Sequence, residues 1–174
     1  MKTAVFIDRD GVITEDIGYV HKIEDFKLIP NAVEGLKLLE DYKLFIITNQ
    51  SGIGRGYYKP EDFIDYNNRI LRELKKYNIN IKKTYYCPHK PEDNCECRKP
   101  KIKFLKEAEK EFSIDLKKSF VIGDKKADIK MGKNAGCRTI LVLTGNGLQT
   151  KDEVEADYFA KDLLDAAKWI LNNK

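Results

Sequence analysis

Residues 3–11 read "TAVFIDRDG". A short apolar run delivers two acids, Asp8 and Asp10, one residue apart, and then Gly11. Like charges this close at the end of a buried strand destabilise each other unless a cation intervenes. Mg²⁺ is the expected cation, a hard ion that takes carboxylate, carbonyl, water and phosphate oxygens. Asp8, held rigid by the strand, could attack phosphorus. Asp10 could then serve as general acid for the leaving oxygen and later as base for water. Gly11 permits a sharp exit of the chain. Taken alone, the nine residues read equally as an acidic cap between a strand and a loop.

The pattern recurs outward from this stretch. Apolar runs at 3–7, 42–48, 82–87, 119–123 and 138–144 each lead to a polar, chemically capable residue. Between them, 30–42, 59–77, 101–112 and 125–136 carry apolar residues at the three-and-four spacing of one-sided helices. Strands alternating with helices predict an α/β fold, a doubly wound three-layer sandwich around a mainly parallel sheet. The continuous Val, Ile and Phe runs suit strands covered on both faces. Ligands in such sheets collect at the carboxyl ends of the strands, near the switch in strand order. The stretch 156–174 predicts a short edge strand and a closing helix, with Leu163, Trp169 and Ile170 in the core. No repeat or flexible linker divides the chain, so residues 1–174 are expected to form one domain with no separate cap domain.

Thirty-two basic and 28 acidic residues leave a net charge of +4, but the two signs are interspersed along the chain. That reads as a solvated surface rather than a nucleic-acid face. No apolar run approaches the roughly 18 residues of a membrane span, and the start lacks a signal-peptide cleavage pattern. The expectation is a cytoplasmic monomer acting on a small anionic substrate, with no nucleic-acid or membrane partner. In that compartment the four cysteines are not a disulfide framework.

Three further strand ends carry candidate chemistry. "TNQSGIGRG" at 48–56 offers the Thr48 hydroxyl and backbone N–H groups from Asn49 to Gly52 that could cradle phosphate, although its glycines also suit an ordinary loop. Lys99, in "CRKP", could neutralise phosphate charge or lie on the surface. Asp124, in "FVIGDKKAD", follows a buried strand and could be a second carboxylate ligand of Mg²⁺. The segment "CPHKPEDNCECR" at 87–98 gathers Cys87, His89, Cys95 and Cys97 within eleven residues. Three thiols and an imidazole without a carboxylate suit tetrahedral Zn²⁺ with every position filled, a structural site. A redox pair would instead show C-x-x-C opening a helix. Arg98 and Lys99 follow the last ligand directly, so a zinc loop at 87–97 would place them. His21 suits loop packing or a hydrogen bond near substrate, Cys137 a buried inert thiol, and Arg55 either a second anionic group or water.

With Asp8, Asp10, Thr48, Lys99 and Asp124 in this order, the chain resembles the haloacid dehalogenase (HAD) superfamily of phosphotransferases. Within it, "FIDRDGVI", "GYVHKIEDFKLIP", "ITNQSGIGRGYY", "YYCPHKP", "CECRKP" and "VIGDKKAD" are similar to the D-glycero-D-manno-heptose 1,7-bisphosphate 7-phosphatases. They are slightly less similar to the sister histidinol-phosphate phosphatases. The resemblance runs from about residue 3 to 160 and implies a Mg²⁺-dependent sugar bisphosphate phosphatase of nucleotide-activated heptose biosynthesis, for lipopolysaccharide core or S-layer glycan. It implies Asp8 as nucleophile, Asp10 as acid and base, and Thr48 and Lys99 as phosphate stabilisers. Mg²⁺ would be held by the Asp8 side chain, the Asp10 carbonyl and Asp124, and Zn²⁺ by the same four-ligand loop. It further implies Asp16, Ile17, Gly18, Tyr19, Asn49, Gln50, Ser51, Arg98 and Lys125 as substrate contacts. The competing readings are histidinol phosphate as substrate and, in a different class, a non-catalytic module docking a partner through the zinc loop.

Overall fold

Strand β1 (Ala4–Ile7) consists of four apolar residues without solvent exposure, which confines it to the middle of a covered sheet. The computed structural model describes residues 2–173. Around β1 lie β2 (Lys43–Asn49), β3 (Ile81–Cys87), β4 (Phe120–Gly123), β5 (Arg138–Val142) and β6 (Tyr158–Ala160). The order is β3-β2-β1-β4-β5-β6 and every pairing is parallel, so the sheet is wholly rather than mainly parallel. The helices are α1 (Ala32–Leu38), α2 (Ser51–Gly54), α3 (Pro60–Lys75), α4 (Lys103–Phe112), α5 (Lys126–Ala135), α6 (Gly147–Thr150) and α7 (Leu163–Asn172).

Successive residues of a strand face opposite sides, and the core divides accordingly. Val5, Ile7, Leu44 and Ile46 pack with Leu36 of α1, Ile70 of α3 and Ile170 of α7. Ala4, Phe6, Phe45 and Ile47 pack with Leu105 and Ala108 of α4 and Met131 of α5. The chain steps from β1 to β2 to β3, then returns to the other side of β1 as β4. Right-handed crossovers therefore put the helices before and after this return on opposite faces. The reversal between β1 and β4 opens a crevice at their carboxyl ends. On the first face α1 and α7 touch closely: a Cβ at Gly35 would lie 2.6 Å from the Leu163 backbone.

Helix α1 and strand β5 are shorter than their patterns for reasons the structure shows. Helix α1 spans 32–38 rather than 30–42, because Asn31 is left-handed at φ 66° and a turn closed by Tyr42 N–H on Leu39 O (3.0 Å) feeds β2. Strand β5 stops at Val142, and Thr144 instead donates its hydroxyl to Gly11 O at 2.7 Å, tying the loop after β5 to the loop after β1. The C-terminal strand and helix form as expected, with Leu163 and Ile170 buried and Trp169 partly buried against the core. Cys137 is buried, and burial pushes its thiol up to about 12. Among the described residues no helix is long and apolar enough to cross a membrane.

Candidate active site

The apolar run of β1 ends by burying Asp8, which is only 5% exposed. A buried carboxylate requires compensation, and Asp8 Oδ1 receives the Arg9 N–H at 2.8 Å and the Lys99 ammonium at 2.8 Å. Lys99 is itself buried and has two other partners, Asp128 Oδ1 at 2.6 Å and Ile47 O at 2.9 Å. Burial works against the ammonium, but Asp128 and Asp8 outweigh it and raise Lys99 above the usual lysine range. The cation is thus fixed in charge as well as position.

Asp124, at the end of β4, has no solvent exposure. Its Oδ2 takes the backbone N–H of Asn146 at 2.8 Å and the Asn146 side-chain amide at 3.2 Å. Its Oδ1 is buried with no hydrogen-bond partner among the described residues. Burial first, then the neighbouring Asp8, push the Asp124 carboxyl up to about 7. Asp128, in the first turn of α5, is pushed up to about 6 by burial and Asp8, against the pull of Lys99. Asp8, Asp124 and Asp128 present oxygens that all lie within 4.8 Å of one another, an oxygen-rich set of the kind a hard divalent cation takes. Gly11, at φ +90°, makes this approach feasible, since a Cβ there would fall 2.3 Å from Asp124 Oδ2.

Asp8, Asp10, Thr48, Asn49, Lys99, Lys125, Ala127 and Asp128 line a small cleft of about 50 Å³ above these strand ends. Thr48 is buried, and its hydroxyl accepts from Gln50 Nε2 at 2.8 Å; the same amide donates to Asp10 Oδ2 at 3.0 Å. Lys125 reaches Asp16 Oδ2 at 2.9 Å, which brings the loop after β1 to the cleft. Beyond Asp16, Ile17, Gly18 and Tyr19 form an exposed tip, with Tyr19 edge-on to Tyr57 at 4.8 Å. His21 stacks on Tyr58 at 4.5 Å, which is loop packing. Asn49 clamps the Lys99 backbone by accepting its N–H at 3.1 Å and donating to its carbonyl at 3.4 Å. The Gln50 N–H is already donated to Cys87 O at 2.7 Å. The set of free donors expected from Asn49 to Gly52 is correspondingly narrower, while Ser51 begins the single turn α2.

The thiol cluster lies just beyond β3. Cys87 Sγ is 3.5 Å from Cys95 Sγ and 3.6 Å from His89 Nδ1; Cys97 Sγ is 3.6 Å from Cys95 Sγ and 3.3 Å from His89 Nδ1. All four cysteines of the chain are free. Ligands at zinc bond lengths in a tetrahedron stand about 3.5–3.8 Å apart, so the spacing and the donor set both fit Zn²⁺. Burial raises the Cys87 and Cys97 thiols. At Cys95 burial is outweighed by the Cys97 and Arg98 N–H groups and the Cys87 thiol, bringing it down to about 7. The loop is tied to α2, where Gly54 N–H donates to Pro88 O at 2.8 Å, and closes on itself where Arg98 donates a guanidinium N–H to His89 O at 3.2 Å. Arg55 lies 3.9 Å from Glu92 on the same loop.

A HAD-hydrolase-like family model matches residues 96–166. A D-glycero-alpha-D-manno-heptose-1,7-bisphosphate 7-phosphatase of Campylobacter jejuni is 45% identical, covering 91% of this chain and 90% of its own. A beta-anomer counterpart of Helicobacter pylori is 46% identical over 84% and 86%. This chain belongs to the D-glycero-D-manno-heptose-1,7-bisphosphate 7-phosphatase family. Its fold superposes on the crystal structure of D,D-heptose 1,7-bisphosphate phosphatase from B. bronchiseptica complexed with magnesium and phosphate, at TM-score 0.92 and 27% identity over 99% of both chains. The corresponding enzyme of Burkholderia thailandensis gives 0.76 and 29% over 98% and 99%.

For a heptose bisphosphatase relative, three residues of this site were not singled out in the sequence. Asp128 was visible only as the acid four places after Asp124, at the position in α5 that also accepts the Lys125 N–H at 3.1 Å. Asn146 lies 22 residues from the carboxylate it holds, in a loop without a distinctive pattern. Arg9, between the two acids, carries no sequence signal that sets it apart from a surface arginine, and it is buried without exposure.

Proposed function

We propose that this chain is a Mg²⁺-dependent phosphatase that removes the 7-phosphate of D-glycero-D-manno-heptose 1,7-bisphosphate through a phospho-aspartate on Asp8. The observation that carries the reading is the convergence of Asp8, Asp10, Thr48 and Lys99 on one cleft at the β1–β4 switch. Asp8 Oδ1 is held by Lys99 and the Arg9 N–H, which leaves its carboxylate oriented for in-line attack on phosphorus. Thr48 and Lys99 meet the charge that spreads over the equatorial oxygens of the transferring group. Asp10 hands a proton to the leaving sugar oxygen and recovers one from the water that releases phosphate. Asp8, Asp124 and the Asp10 carbonyl would hold Mg²⁺, and the orphaned Asp124 Oδ1 supports that assignment. When bound, the ion supplies the positive charge that lets carboxylates and phosphate crowd together.

Cys87, His89, Cys95 and Cys97 would hold Zn²⁺ in a closed structural site that positions Arg98 and Lys99. Asp16, Ile17, Gly18, Tyr19, Asn49, Gln50, Ser51, Arg98 and Lys125 are proposed to border the sugar and its second phosphate. On this reading the chain works as one catalytic domain and a cytoplasmic monomer. Phosphate release from α and β heptose 1,7-bisphosphates, histidinol phosphate, fructose 1,6-bisphosphate and an aryl phosphate, each with and without Mg²⁺, tests it. A strong preference for one or both heptose substrates is expected, and equal rates on all would refute the assigned specificity.

A further inference from the structure

Arg9 is the largest fully buried side chain in the molecule, although its charge must be compensated where it lies. Its Nε donates to Asp10 Oδ1 at 2.8 Å and its NH2 to Asp10 Oδ2 at 2.9 Å, a two-point fork. NH2 also reaches Val20 O at 3.2 Å, while NH1 has no hydrogen-bond partner among the described residues. The guanidinium stands 5.2 Å from the Phe63 ring and 4.8 Å from the Tyr66 ring, both on α3. Helix α3 and the loop after β1 thus enclose it, and the fork onto Asp10 is its main compensation.

Asp10 Oδ2, shared with the fork, also accepts from Gln50, whose amide bridges Asp10 and Thr48 and whose Oε1 accepts the Tyr58 hydroxyl at 2.6 Å. Thr14 adds a longer contact to Asp10 Oδ1 at 3.4 Å. With both oxygens held by a caged fork and one of them also by an anchored amide, the carboxylate has a single favoured plane. A cap domain that closes over substrate could orient such a group on closure; here the work falls to residues already buried.

We propose that Arg9 is a positioning residue for proton transfer by Asp10, holding that carboxylate in line with the leaving oxygen. It does not itself touch the substrate. The inference rests on the phosphatase reading above and gives a role to the residue between the two acids of the first motif, for which the resemblance implies none. Its distinctive consequence lies in leaving-group dependence. A sugar alkoxide needs a proton as the bond to phosphorus breaks, whereas a dinitrophenolate leaves without one. Misplacing Asp10 should therefore slow only the first.

The test is single-turnover phosphorylation of Arg9→Lys and Arg9→Met proteins by heptose 1,7-bisphosphate and by 2,4-dinitrophenyl phosphate. The ratio of the two rates within one sample cancels any loss of folded protein. Arg9→Lys, which keeps the cation but loses the fork, guards against a Met variant that does not fold. Expected is a fall of about 10²-fold or more on the sugar phosphate, within the range of general acid catalysis, with less than about threefold on the aryl phosphate. On an Asp10→Asn background the Arg9 change should add almost nothing. Equal loss on both substrates, or no loss on either, would overturn the proposal. If the unaltered protein releases phosphate from neither substrate, the functional reading fails and the assignment of Arg9 falls with it.

Discussion

At the carboxyl ends of β1 and β4, carboxylates face one another across a cleft and Asp124 Oδ1 has no hydrogen-bond partner among the described residues. At the end of β3 and in the loop after it, three thiols and an imidazole converge at separations of 3.3 to 3.6 Å. The first cluster draws its acids from residues more than a hundred positions apart, held by a sheet; the second comes from eleven consecutive residues with little regular structure. Rigid strands hold reacting groups, and a loop that lacks such support needs its own tether. The two are coupled through Lys99, two residues past the last thiol and in contact with both Asp8 and Asp128.

The largest way to break this comparison is to remove the proposed nucleophile. Asp8→Asn should lower kcat by about 10⁴-fold or more, in line with losses at attacking residues elsewhere, and leave zinc content unchanged by metal analysis. Next in size is Asp128→Asn. With one of its anchors uncharged, Lys99 should shift, and kcat should fall about 10²-fold as a misplacement of about 1 Å would cause. A Lys99 held equally well by Asp8 and Ile47 O alone would show little change.

Cys95→Ser acts on the other cluster. It should release zinc and cut activity by about 10- to 100-fold while far-UV circular dichroism stays close to that of the unaltered protein. Full turnover in the zinc-free protein would separate the two clusters altogether.

The smallest effect concerns pH. Because burial and Asp8 push Asp124 up to about 7, the folded, metal-free protein binds a proton that the unfolded chain releases near pH 4. Between those values the folded state holds more protons, so this carboxyl makes stability fall as pH rises. Mg²⁺ competes with that proton, and its stabilisation should be larger at about pH 8 than at about pH 5.5 in paired thermal melts. A Mg²⁺ effect on Tm that did not vary with pH would remove Asp124 from the ligand set.

The same contrast explains what could be read in advance. The thiol loop was legible because all four candidate ligands are neighbours in sequence, and Asp8 and Asp124 because the apolar runs of β1 and β4 stop at them. Asp128 and Arg9 were not legible, since burial of a charged side chain is decided by elements that sequence spacing does not bring together. Arg9 is enclosed by Phe63 and Tyr66, more than fifty residues away. Likewise, the N–H of Gln50 looked free in a glycine-rich loop and is taken by β3 through Cys87 O. The early end of α1 reflects the turn into β2, which the apolar periodicity of 30–42 continues past.

The central claim is that one metal serves the reaction while the other only holds the loop. The most direct test is phosphate release measured against added Mg²⁺, with zinc content determined on the same samples. The account predicts that activity rises from near zero to saturation with Mg²⁺ while zinc stays constant at one per chain. Turnover that persists without Mg²⁺ and scales with zinc content would contradict it.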